Sequence, residues 1–265
     1  MKQQIIEFTT PSAIVERSVD PWRTASKAPY QDLILKPEFA ARSFKFPTGA
    51  TWFRIVPALR ESNKGWMLGV HTLHYQGGRH IHAKTIKPGG RSVFDEAYQW
   101  CKTNHPGSLF SKDNKQGFKL LPDPICLFWI LVDVKGKIVS RLVILSGYDG
   151  SRGGNDGLGH QILKKTQERD EIGNLVANPV AAETGLQICV EKGLSKESRY
   201  PIYHLKIGRM PVPMSELFTK MDPSEINALT ALEDTVYLPS EEEEWQLLEK
   251  VIDPATVKEI RAAQR

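Results

Sequence analysis

The sequence contains only three cysteines, and no apolar run is long enough to span a bilayer. Cys101, Cys126 and Cys189 are widely separated and form no CxxC pair, which predicts neither a disulfide framework nor a cysteine-based zinc site. The first ten residues, MKQQIIEFTT, lack the apolar segment of a signal peptide. We therefore expect a cytoplasmic protein that has no membrane partner.

The chain also lacks the short motifs that mark common enzymes. A glycine-rich loop at 147–159 follows a predicted strand and precedes a predicted helix, but it contains neither GxGxxG nor GK[ST]. No serine–histidine–aspartate or cysteine–histidine arrangement stands out, and no pair of carboxylates is marked by its spacing. These absences predict a protein that is not an enzyme and needs no cofactor.

Charge is unevenly distributed along the chain, although the net charge is only +4. Residues 51–120 hold 11 Lys and Arg against 4 Asp and Glu, a net of +7, together with five of the seven histidines. Residues 221–265 hold 4 basic against 11 acidic residues, a net of −7. This segregation indicates a surface that binds a polyanion, with an acidic module elsewhere.

The central feature of the sequence is a predicted hairpin. The apolar run from Ile125 to Val132 is short and rich in β-branched and aromatic residues, which predicts a strand buried on both faces. Lys135-Gly136 is typical of a tight turn, and the segment 138–145 predicts a second strand paired antiparallel to the first. Arg141 interrupts this second strand with a charge, which suggests a position facing a groove.

A second hairpin is predicted within residues 66–86, with its turn at Gly77-Gly78, because both positions tolerate positive φ. If Gln76 pairs with Arg79, one face of the hairpin carries six side chains. They are His71, Leu73, Tyr75, His80, His82 and Lys84. A one-residue slip would send each strand's set to the other face.

The remaining pattern places strands first and helices last, which predicts a mostly β, α+β protein. Further strands are predicted at 50–59, 184–193 and 200–208, and helices at 92–104 and 158–168. Asp222, Ser240 and Asp253 each have the position of a helix start. The expected domains are an N-terminal arm at 1–48, a β core at 49–220 and an acidic helical extension at 221–265.

Several segments occur in a characteristic order. They are FRIVP (53–57), the hairpin 66–86, FSKDNKQG (110–117), the Phe128-Trp129 strand, and GLQICVEKG with YPIYHLKIG near the end. This order resembles the phage single-stranded-DNA-binding (helix-destabilising) proteins of the T-even type over roughly residues 48–210. The resemblance implies an OB-fold β-barrel whose basic, aromatic-lined cleft holds single-stranded DNA during replication, recombination and repair in an infected bacterium. The family's structural zinc is not expected, because only Cys101 lies in the corresponding region.

Aromatic residues alternate with cations across the basic region, and such a combination suits single-stranded nucleic acid, since rings stack on bases and cations follow phosphates. The predicted phosphate-binding residues are Arg54, Arg79, Lys84, Lys112, Lys115 and Arg141. Trp52, Tyr75, His80 and His82 are predicted to stack on bases or to contact them. His71 and Lys102 complete the predicted interface.

Two other functions fit the same residues. The first is an RNA-binding or replisome adaptor module on the same barrel. For the single-stranded-DNA-binding protein itself, the acidic C-terminal helices are expected either to contact replication proteins or to pack against the barrel. The second is a metal-dependent nuclease that uses the His71, His80 and His82 cluster, because imidazoles sharing a strand face can bind zinc. The nearest segment, 62–90, offers no carboxylate for such a site.

Overall fold

A computed structural model describes residues 31–59, 65–75, 78–86, 92–104, 123–150, 156–176, 178–194, 201–250 and 252–264, with backbone only for Gln31, His74, Tyr75, Lys84 and Leu194. The chain divides into two compact units. Unit 1 comprises the described residues of 1–34, 71–122 and 237–265, and unit 2 comprises those of 35–70 and 123–236. The predicted core at 49–220 is therefore divided, because residues 71–122 belong to unit 1.

The chain is a mixed α+β protein, as predicted, and its strands are mostly antiparallel. The strands are β1 (Gln31–Leu33), β2 (Ser43–Phe44), β3 (Gly49–Ile55), β4 (Leu68–Tyr75), β5 (Gly78–Ile81), β6 (Asp123–Val134), β7 (Lys137–Ser146), β8 (Leu186–Leu194) and β9 (Pro201–Pro211). The helices are α1 (Pro37–Ala40), α2 (Val93–Asn104), α3 (Leu158–Gln167), α4 (Met214–Phe218), α5 (Pro223–Asn227), α6 (Leu232–Thr235), α7 (Glu241–Glu249) and α8 (Pro254–Ala263). A short 3-10 helix spans Ala83–Thr85.

Unit 1 combines a small sheet with three helices. Residues of β4 from Thr72 onward pair antiparallel with β5, and β1 joins β5 in parallel. Helices α2, α7 and α8 contact one another through apolar faces with helical spacing. Leu73 from β4 packs into the same core. The other fully buried members are Val93, Phe94, Ala97, Cys101, Trp245, Leu247, Leu248, Ile252, Val257 and Ile260.

Unit 2 is built on the predicted central hairpin, which is confirmed. Strands β6 and β7 pair antiparallel from Ile125↔Ser146 to Val134↔Lys137. Lys135 and Gly136 form the turn with φ angles of 56° and 83°, and the positive φ at both positions matches the right-handed twist of the strands. All eight residues from Ile125 to Val132 are buried, so this strand is covered on both faces.

The other strands of unit 2 extend the sheet on both sides of this hairpin. Strand β3 pairs with β6 and β8, β9 pairs with β8, and β2 pairs in parallel with β7. Among the described strands, β9 has β8 as its only partner, so the sheet is open and does not close into the predicted barrel. The OB-fold therefore remains a prediction.

Helices cover the sheet of unit 2. Leu158 and Ile162 of α3 pack against Phe53, Phe128 and Ile188 on one face. On the opposite face, the indole Nε1 of Trp129 donates to the carbonyl of Thr230 at 3.0 Å. This two-sided cover explains why β6 is apolar throughout rather than alternating.

The end of the glycine-rich loop serves to bring α3 close to β7. A Cβ atom on Gly159 would collide with Sγ of Cys126 and lie 2.9 Å from the carbonyl oxygen of Ser146. A Cβ atom on Gly157 would lie 2.6 Å from the same oxygen. These two glycines are therefore required by packing, whereas residues 151–155 of the loop lie outside the described residues.

The three predicted C-terminal helix starts are confirmed. Ser240 and Glu243 form both hydrogen bonds of a capping box at α7, and the carboxylate of Asp253 accepts from Ala255 N and Thr256 N at α8. Asp222 precedes α5, with Pro223 at its first position. The predicted single extension is divided, however, because residues 221–236 belong to unit 2 and residues 237–265 to unit 1.

Candidate nucleic-acid interface

The register of the β4–β5 hairpin differs from the predicted one by two residues. Tyr75 pairs with Gly78 and Leu73 with His80, so Gly78 lies in the ladder and not in the turn. Because side chains alternate with a period of two, this shift leaves Leu73 and His80 on one face. The predicted composition of the face is therefore largely retained, although the predicted pairs are wrong.

Leu73, His80 and His82 on this face are buried, which leaves the two imidazoles no access to bases. His80 is fully buried, with its ring 5.0 Å from that of Phe94 and its Nε2 3.0 Å from Oε1 of Glu244. His82 is 5% exposed, and its Nε2 lies 3.0 Å from Oδ2 of Asp95. Both imidazoles thus connect the hairpin to α2 and α7 inside unit 1 and present no ring to a ligand.

Glu244 is the centre of this buried contact. Its Oε2 accepts the backbone N–H of Val93 at 2.7 Å, and its Oε1 accepts the hydroxyl of Ser92 at 3.3 Å. A helix N-terminus offers unsatisfied N–H groups and favours negative charge, so Glu244 stabilises the start of α2 from another helix. Asp95, in the first turn of the same helix, contacts His82.

The other residues of unit 1 that are predicted to bind DNA lie on different elements. Arg79 donates to both carboxylate oxygens of Asp32, at 3.0 and 2.8 Å, across the β1–β5 pair. His71 and Lys102 are exposed on β4 and at the last turn of α2. The side chains of Tyr75 and Lys84, and all of Lys112 and Lys115, lie outside the described residues.

Arg54 is a structural cation of unit 2, although it was predicted to bind phosphate. Its side chain is fully buried, and its guanidinium donates to the carbonyls of Val212 at 2.9 Å, Ala181 at 2.5 Å and Pro179. Burial lowers the pKa of Arg54 to about 10, partly opposed by the charge of Glu183, so the group is still protonated at neutral pH. A guanidinium enclosed by carbonyls is not available to phosphates.

Arg141 is also engaged within unit 2. Its Nη1 donates to the carbonyl of Ser140 at 2.7 Å and lies 3.4 Å from Oε2 of Glu225. The same carboxylate oxygen accepts from Arg42 Nη1 and from the backbone N–H of Ser140, both at 2.8 Å. The predicted groove position for Arg141 is therefore replaced by an ion pair that connects α5 to β7.

Among the predicted base-contacting residues whose side chains the structure describes, Trp52 is accessible to a ligand. Its side chain is 44% exposed on β3, whereas Trp129 and Trp245 are 2% and 3% exposed. The ladder places Trp52 opposite Cys189, and Cys189 opposite Lys206. Side chains at directly paired positions share a face, so Trp52 and Lys206 lie on the same side of the sheet.

Neighbouring rungs add an imidazole, a carboxylate and an apolar side chain to this side. Glu191 pairs with His204 and Gly193 with Ile202, at even spacing from Cys189 and Lys206. His204 and Lys206 are exposed, and Ile202 is 46% exposed. We call these residues the Trp52 surface. It consists of Trp52, Glu191, Ile202, His204 and Lys206.

The electrostatics of the Trp52 surface depend on one exposed ion pair. Nζ of Lys206 lies 2.6 Å from Oε2 of Glu191. This hydrogen bond and the opposite charge raise the pKa of Lys206 and lower the pKa of Glu191. Exposed pairs of this kind contribute little to stability, so a phosphate can replace Glu191 as the partner of Lys206 at small cost. Below them, burial raises the pKa of the Cys189 thiol, which therefore stays protonated.

The sequence marks Trp52 as a candidate for base stacking but does not mark its partners on β9. The alternation in YPIYHLKIG predicts a strand, and this pattern alone places Ile202, His204 and Lys206 on one face. Their proximity to Trp52 depends on the β3–β8–β9 pairing, which joins segments about 150 residues apart in the sequence. No local pattern predicts that pairing.

Neither a metal site nor a membrane span is found in the described part of the chain. Its His, Cys, Asp and Glu side chains include no group of three or more placed to hold a metal ion. In particular, His80 and His82 contact Glu244 and Asp95 in separate pairs. None of the described helices combines the length and the apolarity that crossing a bilayer requires.

Comparison with protein-family models and with curated protein sequences identifies no relative of this chain. No protein-family model matches the chain, and no curated protein sequence matches it significantly. The functional assignment therefore depends on the geometry of the described residues and on the sequence resemblance.

Proposed function

We propose that the chain binds single-stranded DNA without sequence preference, through the Trp52 surface of unit 2. Proteins of this kind combine cations with aromatic platforms on which bases stack. Trp52 supplies an exposed ring, Lys206 a cation, and His204 a second flat ring on the same face of the sheet. The resemblance to phage helix-destabilising proteins supports DNA as the ligand and replication, recombination and repair as the setting.

The exposure of Trp52 is the single observation on which this proposal depends. Large aromatic side chains are usually well buried, and an indole on the open face of a sheet loses that stabilisation unless a ligand covers it. The 44% exposure of Trp52 therefore indicates a contact surface. We further propose that unit 2 is OB-fold-like, because the OB-fold is a partly open antiparallel barrel that binds oligonucleotides on a strand face.

The proposal describes a binding protein and not an enzyme. The nuclease alternative needs several metal ligands in reach of one another, and the imidazoles of His80 and His82 already contact the carboxylates of Glu244 and Asp95. For the RNA-binding alternative, oligo-dT and oligo-rU compared at equal salt separate the two ligands, because the 2′-hydroxyl distinguishes RNA from DNA. We also propose that the acidic helix α7 contacts replication proteins, since Glu241, Glu242 and Glu249 are exposed on it.

Titration with labelled oligo-dT tests the proposal directly. Trp52→Ala should weaken binding roughly 5- to 150-fold, because stacking of one base contributes about 1–3 kcal/mol. Trp52→Phe should recover most of the affinity, since it restores an aromatic face. Ile172→Ala is the matched control, because Ile172 is 83% exposed and lies between α3 and β8, outside the strands that carry the Trp52 surface. Equal affinity of Trp52→Ala and the wild type, or no binding by the wild type, would refute the proposal.

A further inference from the structure

Unit 2 contains a groove that the Trp52 surface does not account for. It lies among the end of β7, the start of α3 and the start of β9, and it has a volume of about 1120 Å³. This volume slightly exceeds the range of about 300–1,000 Å³ that is usual for pockets that hold small organic ligands. Strand β9 contributes both to the groove and to the Trp52 surface, and Ile202 belongs to both.

The walls of the groove combine apolar and aromatic groups with a few polar ones. Leu145 and Leu158 supply apolar surface, and the half-buried Tyr203 packs against the core of unit 2 while it lines the groove. Ser146 and Gln161 supply a hydroxyl and a side-chain amide. A lining that is largely apolar, with a few placed polar groups, is typical of a binding site for a small flat ligand.

The charges in the groove disfavour a phosphate. Asp156 is the acidic residue in the lining, and the cation that faces it, Lys164, is held by its Oδ2 at 2.7 Å. Gln161 Nε2 donates to the backbone carbonyl of Asp156 at 2.7 Å, which holds the amide in place with its Oε1 as an acceptor. The groove therefore suits an uncharged, planar group that has both apolar faces and hydrogen-bonding edges.

We propose that this groove receives an unpaired nucleobase of the strand bound on the Trp52 surface. The inference rests on the proposed function and adds a second base-binding position to it. Tyr203 is the stacking residue, and Gln161 and Ser146 contact the edge of the base. Tyr203 lies on the opposite face of β9 from Ile202, His204 and Lys206, because side chains alternate along a strand. Ile202 lines the groove as well as the Trp52 surface, and the described strands leave the outer edge of β9 unpaired, so the bound strand passes around this edge from one position to the other.

Photo-crosslinking of the full-length wild-type chain tests the proposal without any variant that could fail to fold. Oligo-dT is prepared with single 5-iodouracil substitutions at successive positions, and the crosslinked residues are identified by peptide mapping. The expected result is two sites of crosslinking, one at Trp52 and one at Tyr203. Crosslinking at Trp52 alone overturns the groove as a base site but leaves the proposed function intact, whereas absence of binding in the same samples removes both.

A pair of variants gives a second, quantitative readout. Tyr203→Leu keeps apolar bulk against the core but removes the ring, and it should weaken oligo-dT binding roughly 5- to 150-fold. Tyr203→Phe should bind like the wild type. Urea unfolding measures the free energy of unfolding of both variants. If it is unchanged, a loss of affinity is due to the missing ring and not to a disturbed fold. Equal affinity of Tyr203→Leu and Tyr203→Phe would contradict the proposal even if the crosslinking at Trp52 persists.

Discussion

The carboxylate of Glu244 lies 3.0 Å from Nε2 of His80, and the two side chains are 4% and 0% exposed. They come from positions 164 residues apart in the chain, on α7 and β5. Because of this contact, His80 in the histidine-rich hairpin has a structural role. It packs and forms a hydrogen bond inside unit 1. A buried charged group of this kind is tolerated only when its partners are present.

Replacing Glu244 should therefore strongly destabilise unit 1. In Glu244→Ala, His80, Ser92 and the N–H of Val93 lose a shared acceptor in a buried site. Removing the acceptor of a buried donor costs about 1–3 kcal/mol, and Glu244 accepts from more than one buried group. Urea denaturation measures this loss as a decrease in the free energy of unfolding.

Glu242→Ala is the matched control on the same helix. Glu242 is 61% exposed, and its ion pair with Arg261 is on the surface, so its removal should cost less than about 1 kcal/mol. A similar decrease in the free energy of unfolding for Glu244→Ala and Glu242→Ala would show that the buried contacts of the Glu244 carboxylate do not stabilise unit 1.

Local sequence patterns predict the helices and strands of the fold. Whether a predicted site residue is exposed to a ligand depends on contacts with residues far away in the sequence. The β6–β7 hairpin, its Lys135-Gly136 turn and the capping box at Ser240 are each specified within a few residues, and all are confirmed. By contrast, Arg54 is buried by carbonyls from residues 179–212. A cation next to an aromatic residue in the sequence looks the same whether a phosphate or backbone carbonyls surround it.

A second prediction concerns the packing around Arg54. A Cβ atom at position 185 would collide with the guanidinium of Arg54 and with the carbonyl oxygen of Ala181. Gly185→Ala should therefore reduce the free energy of unfolding by about 1–3 kcal/mol, the usual cost of overpacking. Thermal or urea unfolding measures the effect.

Gly193→Ala provides the comparison for that substitution. Gly193 lies in β8, and no atom lies within 4 Å of the position its Cβ would occupy. This variant should be neutral or slightly stabilising, because alanine loses less conformational entropy than glycine on folding. If Gly185→Ala were as stable as Gly193→Ala, the close packing of Arg54 on the backbone would be wrong.

The carboxylate of Glu225 should make folding sensitive to acid. Burial alone would raise its pKa, but hydrogen bonds from Ser140 and the ion pair with Arg42 outweigh burial and place the pKa below its ordinary value of 4.5. A depressed pKa in the folded state stabilises the fold above the unfolded-state pKa, and this stabilisation is lost as pH falls below 4.5 through the folded-state pKa. We expect Glu225→Gln to be less stable than the wild type at pH 7, with the difference shrinking below pH 4.5.

Urea unfolding at a series of pH values checks this expectation, with Glu216→Gln as the control. Glu216 pairs with Lys220 on the surface, where both side chains are 55% exposed, so its replacement should change stability little at neutral pH. A difference between Glu225→Gln and the wild type that stays constant into acid would contradict the assigned role of the carboxylate.

The last prediction concerns the salt dependence of DNA binding. Phosphate contacts release counterions, so the logarithm of the affinity falls linearly with the logarithm of the salt concentration, by about 0.7 per contacted phosphate for single strands. Lys206→Ala should make this slope shallower by about that amount, because one phosphate contact is lost. Lys220→Ala removes a lysine of similar exposure, 55% against 58%, that lies outside the Trp52 surface, and it should leave the slope unchanged. If both variants shift the slope equally, the lysines act only through net charge, and Lys206 does not contact a phosphate at the Trp52 surface.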